Sequence, residues 1–374
     1  MVKIAIILPS LCGGGAERLH VYLANEWVLR GFSVEFVLMR KEGELLPLLA
    51  PEVTVTDLAV VTIRSAVLPL AAYLRKSRPQ VLLAAMWPLT SAAVISWTLS
   101  GRHGRLILSD HEHLSRSYLG QNRVKPAYLK NLIRFTYPWA SGIVTVSQGV
   151  KDDLCTLGTL SSKKVRVIYN PAATGVSSAR ESDEVREKLW GRGFKCHILT
   201  VGRLTVEKDF KTLITAFSLL PAELNAKLII LGEGPLRKEL TAFVMKLGLH
   251  DRVVLPGFVT DPYPMFRSAD LFVLSSLWEG FGNVIVEALE CGIPVVCTNC
   301  PSGPAEILEN GRYGKLVPVG DFGALAAAME ERLNQTHDRE LLIRRAQDFG
   351  VKKIAEQYLA YLFPDRSREG MFRE

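Results

Sequence analysis

No apolar run in this 374-residue chain approaches the roughly 20 residues that a bilayer-spanning helix needs; the longest, Ile4 to Leu11 and Ala66 to Ala72, are far shorter. The opening MVKIAIILPS reads as a strand and not as a signal peptide with a cleavage site, so neither secretion nor a membrane span is expected. Cysteine is sparse. Six residues, at 12, 155, 196, 291, 297 and 300, are scattered without a signal and fit reduced thiols better than a disulfide framework. Only Cys297 and Cys300 form a CxxC, and the two further ligands that a zinc site requires are not found nearby. Three ligand signatures are also missing: a GxGxxG with an acid about 20 residues on, a Walker loop, and an Asp-x-Asp pair. The first two absences argue against dinucleotide and P-loop chemistry. The third removes the pattern by which a divalent metal would hold a diphosphate.

What is present is ordinary globular composition, 48% hydrophobic and 22% charged, in a chain long enough for two domains with sizeable cores. The net charge of +7 is unevenly spread. Residues 1–170 carry 20 Lys and Arg against 11 Asp and Glu, and residues 171–374 carry 25 against 27. The basic first half implies an anionic partner, nucleic acid or an anionic membrane surface. Two stretches there mix cations with apolar side chains. Residues 63–79 interleave Arg64, Arg75, Lys76 and Arg78 with Leu68, Leu70, Tyr73 and Leu74; residues 123–140 set Arg123, Lys125, Lys130 and Arg134 among Tyr128, Leu132, Ile133, Phe135, Tyr137 and Trp139. Each alone reads equally as a solvated helix face over a core; the two together favour shallow insertion at a membrane interface.

Both halves share one grammar. In the first, β-rich runs (KIAIILPS, SVEFVLMR, VLLAAM, RLILSD, GIVTVSQ) alternate with helical patterns. A second series begins near 196 with CHILTVGRL and continues through AKLIILGEG, VVLPGF, LFVLSS and PVVCTN, again with helices between. Such alternation predicts parallel sheets with helices on both faces. The polar and small residues of YNPAATGVSSARESDEVREK (169–188) interrupt the pattern and mark an interdomain linker. The expectation is therefore α/β: a Rossmann-like domain at 1–170, a linker at 171–190, a second Rossmann-like domain at 191–345, and C-terminal helices at 346–374 that pack back towards the first domain. Two open sheets facing each other put their strand carboxyl ends on one cleft, where such sheets bind ligands.

Three loops carry chemistry. After the first strand, Gly13, Gly14 and Gly15 precede a helix, which reads either as a tight turn or as backbone amides offered to a phosphate. In VGRLTVEKD, Arg203 and Lys208 lie five apart at a strand exit, where they either converge on a diphosphate or form surface pairs with Glu207 or Asp209. In SLWEGFGNVIVEAL, Glu279 sits in a strand-exit loop and Glu287 about a turn and a half into the following helix. Buried carboxylates need partners, so this is a capped helix start or a ligand site. The second reading has one carboxylate at the end of a ligand, the other at its middle, and the amides around Phe281, Gly282 and Asn283 at phosphates between. A nucleotide sugar has that layout.

At this point the chain resembles the family-4 retaining glycosyltransferases of GT-B fold over nearly its whole length: GGGAER, SDHEH, VIYNP, VGRLTVEKD, LGEGPLR and EGFGNVIVE, the last matching the family's E-x7-E. It looks most like bacterial members that extend lipid-linked sugars at the cytoplasmic membrane face. The resemblance implies that Arg203 and Lys208 bind the donor diphosphate, Glu279 the donor-sugar hydroxyls and Glu287 the ribose. It implies donor contacts at Gly14, Gly15, Gly202, Gly280, Phe281, Gly282 and Asn283, and a nucleoside pocket lined by Gly232 to Gly234, Phe258 and Val259. His111 matches a histidine beside the reacting sugar, with His113 two residues away as the competing choice. The reaction implied is front-face displacement with retention, moving a hexose or N-acetylhexosamine from a nucleotide sugar, UDP-linked, to a lipid-linked saccharide. No metal and no other cofactor is expected. The expected partners are the donor, the lipid-linked acceptor and, through the first domain, an anionic membrane surface; nucleic acid is not expected, and the expected location is the inner membrane face. A GT-B epimerase acting on the nucleotide sugar alone, or a non-enzymatic anion-binding protein with a vestigial cleft, are the competing readings.

Overall fold

Every residue of IAIIL is apolar, and a strand with two apolar faces must be covered on both sides, as in a parallel sheet inside helical layers. In the computed structural model, which describes residues 2–120, 124–176 and 178–365, this run is β1 (Lys3–Leu8). Ile4, Ile6 and Leu8 join one core cluster, and Ala5 and Ile7 join another on the opposite face. Arg123, in the second basic stretch, and residues 366–374 lie outside the described residues.

The first unit continues through α1 (Gly15–Leu29), β2 (Ser33–Leu38), β3 (Thr54–Asp57), α2 (Ile63–Ser77), β4 (Val81–Ala85), α3 (Leu89–Leu99), β5 (Arg105–Asp110), α4 (Pro126–Thr136), β6 (Gly142–Thr145), α5 (Gln148–Gly158) and β7 (Val165–Val167). Its seven strands are all parallel in the order β3-β2-β1-β4-β5-β6-β7. The buried stripes of α2, α3, α4 and α5 (Leu70, Trp97, Ile133 and Leu154 among them) cover one face, and Leu19, Leu23 and Trp27 of α1 cover the other.

The second unit, Ala172–Gly350, holds α6 (Asp183–Trp190), β8 (Cys196–Val201), α7 (Phe210–Ser218), β9 (Ala226–Leu231), α8 (Arg237–Lys246), β10 (Val253–Gly257), α9 (Tyr263–Ser268), β11 (Leu271–Leu274), α10 (Asn283–Glu290), β12 (Val295–Thr298), α11 (Pro304–Ile307), β13 (Lys315–Val317), α12 (Phe322–Leu333) and α13 (Arg339–Gln347). Six parallel strands run β10-β9-β8-β11-β12-β13. Each sheet thus reverses its strand order once, between β1 and β4 and between β8 and β11, and the loops leaving those strands diverge to open a crevice.

Two segments differ from the sequence reading. Part of the expected linker is helical: Ser182 caps α6, Arg186 reaches Asp270 at 2.8 Å, and the buried Trp190 indole donates to Ser268 Oγ at 2.8 Å. These contacts fasten residues 183–190 to the second unit. The final helix, α14 (Val351–Leu362), falls in the first unit, where Ile354, Ala355, Tyr358, Leu359 and Leu362 complete the cluster over α1. The crossing comes at Gly350 and not at 345.

Candidate functional site

In the second unit the strand-exit loops bring two of the sequence's charged residues, Lys208 and Glu279, within reach of each other. Val206–Lys208 form a single 3-10 turn, and Asp209 follows in the left-handed region (φ 44°), its carboxylate capping α7 through Thr212, whose hydroxyl donates at 2.6 Å. The turn aims Lys208 inward. Its Nζ lies 2.6 Å from Glu279 Oε1, and Ser276 Oγ donates to the same oxygen at 2.6 Å. Both contacts fall on Oε1, so neither uses Oε2. The backbones are stitched as well: Ser275 Oγ donates to Lys208 O at 2.8 Å, and Leu277 N to Glu207 O at 2.8 Å. Glu279 is buried and the Lys208 side chain only 16% exposed, so each charge depends on the other for compensation. Arg203 does not join them. It is 71% exposed and stands 3.5 Å from Glu207, the surface pair that the sequence offered as its alternative.

After Glu279 the chain runs through half-buried Gly280 and buried Phe281, whose ring meets Phe349 edge-on at 5.4 Å, to Gly282. Gly282 takes φ 98° as the residue before α10 and brings no capping side chain of its own, and Asn283 opens the helix. Glu287 is half-buried one and a half turns on. One turn further, Glu290 is buried and accepts from Gly175 N at 2.6 Å; burial pushes its carboxyl above the usual range against that stabilising bond.

Gly202, Gly232 and Gly234 are explained first by packing. Gly202 N donates to Leu231 O at 2.9 Å, and the stem of Lys208 lies against Gly202. A Cβ on Gly232 would sit 2.0 Å from the Gly202 carbonyl oxygen, and one on Gly234 would sit 2.5 Å from that of Leu204. The two loops touch backbone to backbone along one sheet edge. Phe258 is 59% exposed and Val259 half-buried, both at the exit of edge strand β10.

The first unit holds the histidines. His113 Nδ1 lies 3.2 Å from Asp153 Oδ2 and 3.1 Å from Ser115 Oγ, an anchoring contact to α5. His111 Nε2 lies 2.9 Å from Ser109 Oγ, and its Nδ1 is shielded from solvent with no hydrogen-bond partner among the described residues. Burial holds the ring well below the usual histidine range, helped by the neighbouring His20. Beside it Asp110 is buried and takes the Tyr137 hydroxyl at 3.0 Å; burial raises its carboxyl to about 7. Gly14 precedes α1 with extended backbone and Gly15 opens it, again without a side-chain cap.

Sequence reasoning missed Ser276, Glu290 and His20. Both Ser276 and Glu290 adjoin noted residues: Ser276 bonds Glu279 three positions on, whereas the partner of Glu290, Gly175, is 115 residues away in the chain. His20 stood out as a polar residue between Leu19 and Val21 on a helix's buried stripe. Among the described residues no group of three or more His, Cys, Asp or Glu is arranged to hold a metal ion.

Two units with parallel sheets, each reversing its strand order once, define an α/β protein of two Rossmann-like domains. Comparison with known proteins narrows this. Residues 13–175 match the model of Glycosyltransferase Family 4, and residues 183–349 match that of Glycosyl transferases group 1. A Campylobacter jejuni relative, N-acetylgalactosamine-N,N'-diacetylbacillosaminyl-diphospho-undecaprenol 4-alpha-N-acetylgalactosaminyltransferase, is 33% identical over 268 residues, 70% of each chain. The lipopolysaccharide core biosynthesis glycosyltransferase LpsE of Rhizobium meliloti is 28% identical over 93% of this chain and 96% of its own. The crystal structure of Anabaena HepE in complex with UDP and glucose superposes with a TM-score of 0.82 over 97% of this chain and all of that one, at 22% identity. The chain belongs to glycosyltransferase family 4 and is a glycosyltransferase of GT-B fold.

Proposed function

We propose that this enzyme moves a hexose or an N-acetylhexosamine from a UDP-linked donor to a hydroxyl of a membrane lipid-linked saccharide, with retention at the anomeric carbon. The observation that carries the reading is the buried Lys208–Glu279 pair at the β8/β11 switch point. Lys208, joined by Arg203 swinging from solvent, neutralises the departing diphosphate, and Glu279 accepts hydroxyls of the donor sugar. A preorganised cation of this kind lowers the barrier by about 3 kcal/mol. Glu287 takes the ribose; Gly202, Gly232, Gly234, Phe258 and Val259 bound the nucleoside; the amides of Gly280 to Asn283, and those of Gly14 and Gly15, take phosphate oxygens. His111 stands beside the reacting sugar. Fixed cations and amides replace a metal.

The acceptor class is supported by relatives named for undecaprenol-diphosphate and lipopolysaccharide saccharides, and UDP by the ligand of the HepE complexes. An anionic membrane partner is supported by the outer faces of α2 and α4 and by the 3-10 turn Tyr137–Trp139 that follows α4. Leu68, Tyr128, Phe135 and Trp139 are exposed there among Arg64, Arg75, Lys76, Lys125, Lys130 and Arg134, with Phe135 68% in solvent. No helix among the described residues is long and apolar enough to cross a membrane, so such contact would be interfacial.

The test is a donor screen: UDP, GDP and ADP sugars, with and without EDTA, assayed for binding and for transfer to a short lipid diphosphate saccharide. One UDP sugar is expected to bind regardless of EDTA and to lose affinity or turnover in both Lys208→Ala and Glu279→Ala. Binding indifferent to both substitutions would make the pair structural and defeat the reading.

A further inference from the structure

Ser275 and Ser276 follow β11 directly, and they fasten the two members of the ion pair separately. Ser275 Oγ holds the Lys208 backbone oxygen at 2.8 Å. Ser276, wholly buried, donates its hydroxyl to Glu279 Oε1 at 2.6 Å. The short segment between Ser276 and Glu279 is fixed at both ends by the exit of β12: Thr298 Oγ1 donates to Ser276 O at 2.6 Å, and Glu279 N donates to Pro301 O at 3.2 Å. What the backbone leaves open is the carboxylate. The last torsion of a glutamate side chain is broad and roughly two-fold, so Lys208 alone would leave the group free to turn, or to close both oxygens on the ammonium.

Ser276 removes that freedom. Lys208 Nζ and Ser276 Oγ both lie 2.6 Å from Oε1. A carboxylate oxygen has two lone pairs, and these two donors take both. Any further donor that reaches this carboxylate must therefore bond Oε2. Loading one oxygen twice gives stability no advantage over sharing the donors between the two, whereas it sets one acceptor atom aside in a defined place.

We infer that Ser276 is a positioning residue for the donor: it fixes the rotation of the Glu279 carboxylate so that Oε1 serves Lys208 and Oε2 is reserved for a hydroxyl of the transferred sugar. The inference rests on the donor reading of Glu279 and adds to it the group that orients the accepting atom. A carboxylate only accepts, so the sugar must present a hydroxyl proton there. Ser276 thus acts, through Glu279, on the sugar and not on the nucleotide.

The experiment measures calorimetric affinities of the full-length chain for UDP and for the UDP sugar turned over in the donor screen. Ser276→Ala should weaken the UDP sugar about tenfold, as the loss of one hydrogen bond to a charged group does, and leave UDP within about twofold. A merely structural serine would shift both ligands together. Ser276→Cys, whose thiol fills the space but donates weakly, should fall between, and it decides the matter if Ser276→Ala does not fold. In a Glu279→Ala background, Ser276→Ala should cost the UDP sugar nothing further. Equal weakening of UDP and its sugar by the Ser276 variants, no weakening of either, or additive losses in the double variant overturns the inference. Glu279→Ala separates this from the reading beneath it. If it leaves the ratio of the two affinities unchanged, Glu279 does not hold the sugar and both fall; if it changes that ratio while Ser276→Ala does not, only the role of Ser276 falls.

Discussion

At the scale of single residues, Glu279→Ala leaves the largely buried Lys208 ammonium without its partner, and breaking such a pair costs roughly 3–5 kcal/mol. A lower urea midpoint, together with a kcat reduced about a hundredfold, is expected; Glu279→Gln, which keeps a hydrogen-bonding oxygen for Ser276, should recover part of the stability but not the rate. Gly232→Ala meets a harder limit. Its Cβ would lie 2.0 Å from the Gly202 carbonyl at a φ of 137°, so thermal melting should show loss of the second unit's cooperative transition.

Two buried groups set opposite pH trends. His20 has a folded pKa of about 4 against an ordinary 6.5, so its contribution is complete above 6.5 and lost as pH falls towards 4. Asp110, raised from 3.8 to about 7, contributes fully below 3.8 and loses that contribution as pH rises through 7. In urea titrations, Asp110→Asn should flatten the decline from pH 4 to 7, and His20→Leu the loss from pH 6.5 to 4. Arg203, Lys208 and Glu279 could be singled out as candidates because charged residues at strand exits are informative one at a time, and Glu287 by its place in the helix that follows. Their pairings were not legible: Lys208 and Glu279 are 71 residues apart, and nothing in either loop says that Lys208 turns inward while Arg203 stays in water.

At the scale of elements, the buried strands and amphipathic helices followed from periodicity, because each spans enough residues to show it. β3, β7 and β13 were not singled out. They are three or four residues long, shorter than a period-2 pattern can establish, and become strands only by pairing with β2, β6 and β12. α6 hid inside a polar stretch for a related reason: its one apolar anchor, Trp190, comes at its last position. The outer face of α4 and the turn that follows it allow a direct test. Phe135→Ala with Trp139→Ala should reduce sedimentation with anionic vesicles at low salt by tenfold or more, and Lys130→Glu with Arg134→Glu should do so in proportion to vesicle charge, at about 1 kcal/mol per cation near the surface. Equal sedimentation of all variants would remove α4 from the membrane reading.

At the scale of the whole molecule, the first unit is discontinuous in sequence and the second is not. Residues 172–350 should therefore fold alone, showing a cooperative melt. Residues 1–171 should not, since α14 covers the α1 face with five buried side chains, each contributing roughly 1.5–3 kcal/mol except the small Ala355. Adding residues 351–374 in trans should restore the transition; a stable, monomeric 1–171 fragment would contradict this. The sequence by itself determined the repeated α/β grammar, the parallel sheets and the chemical types at the strand exits, because burial on two faces and local periodicity are written in neighbouring residues. Tertiary structure alone decided that Lys208 meets Glu279, that His20 meets His111, and that the last helix belongs to the first unit. Each of those depends on strand order and crossover, which bring together residues whose separation in the chain carries no local signal.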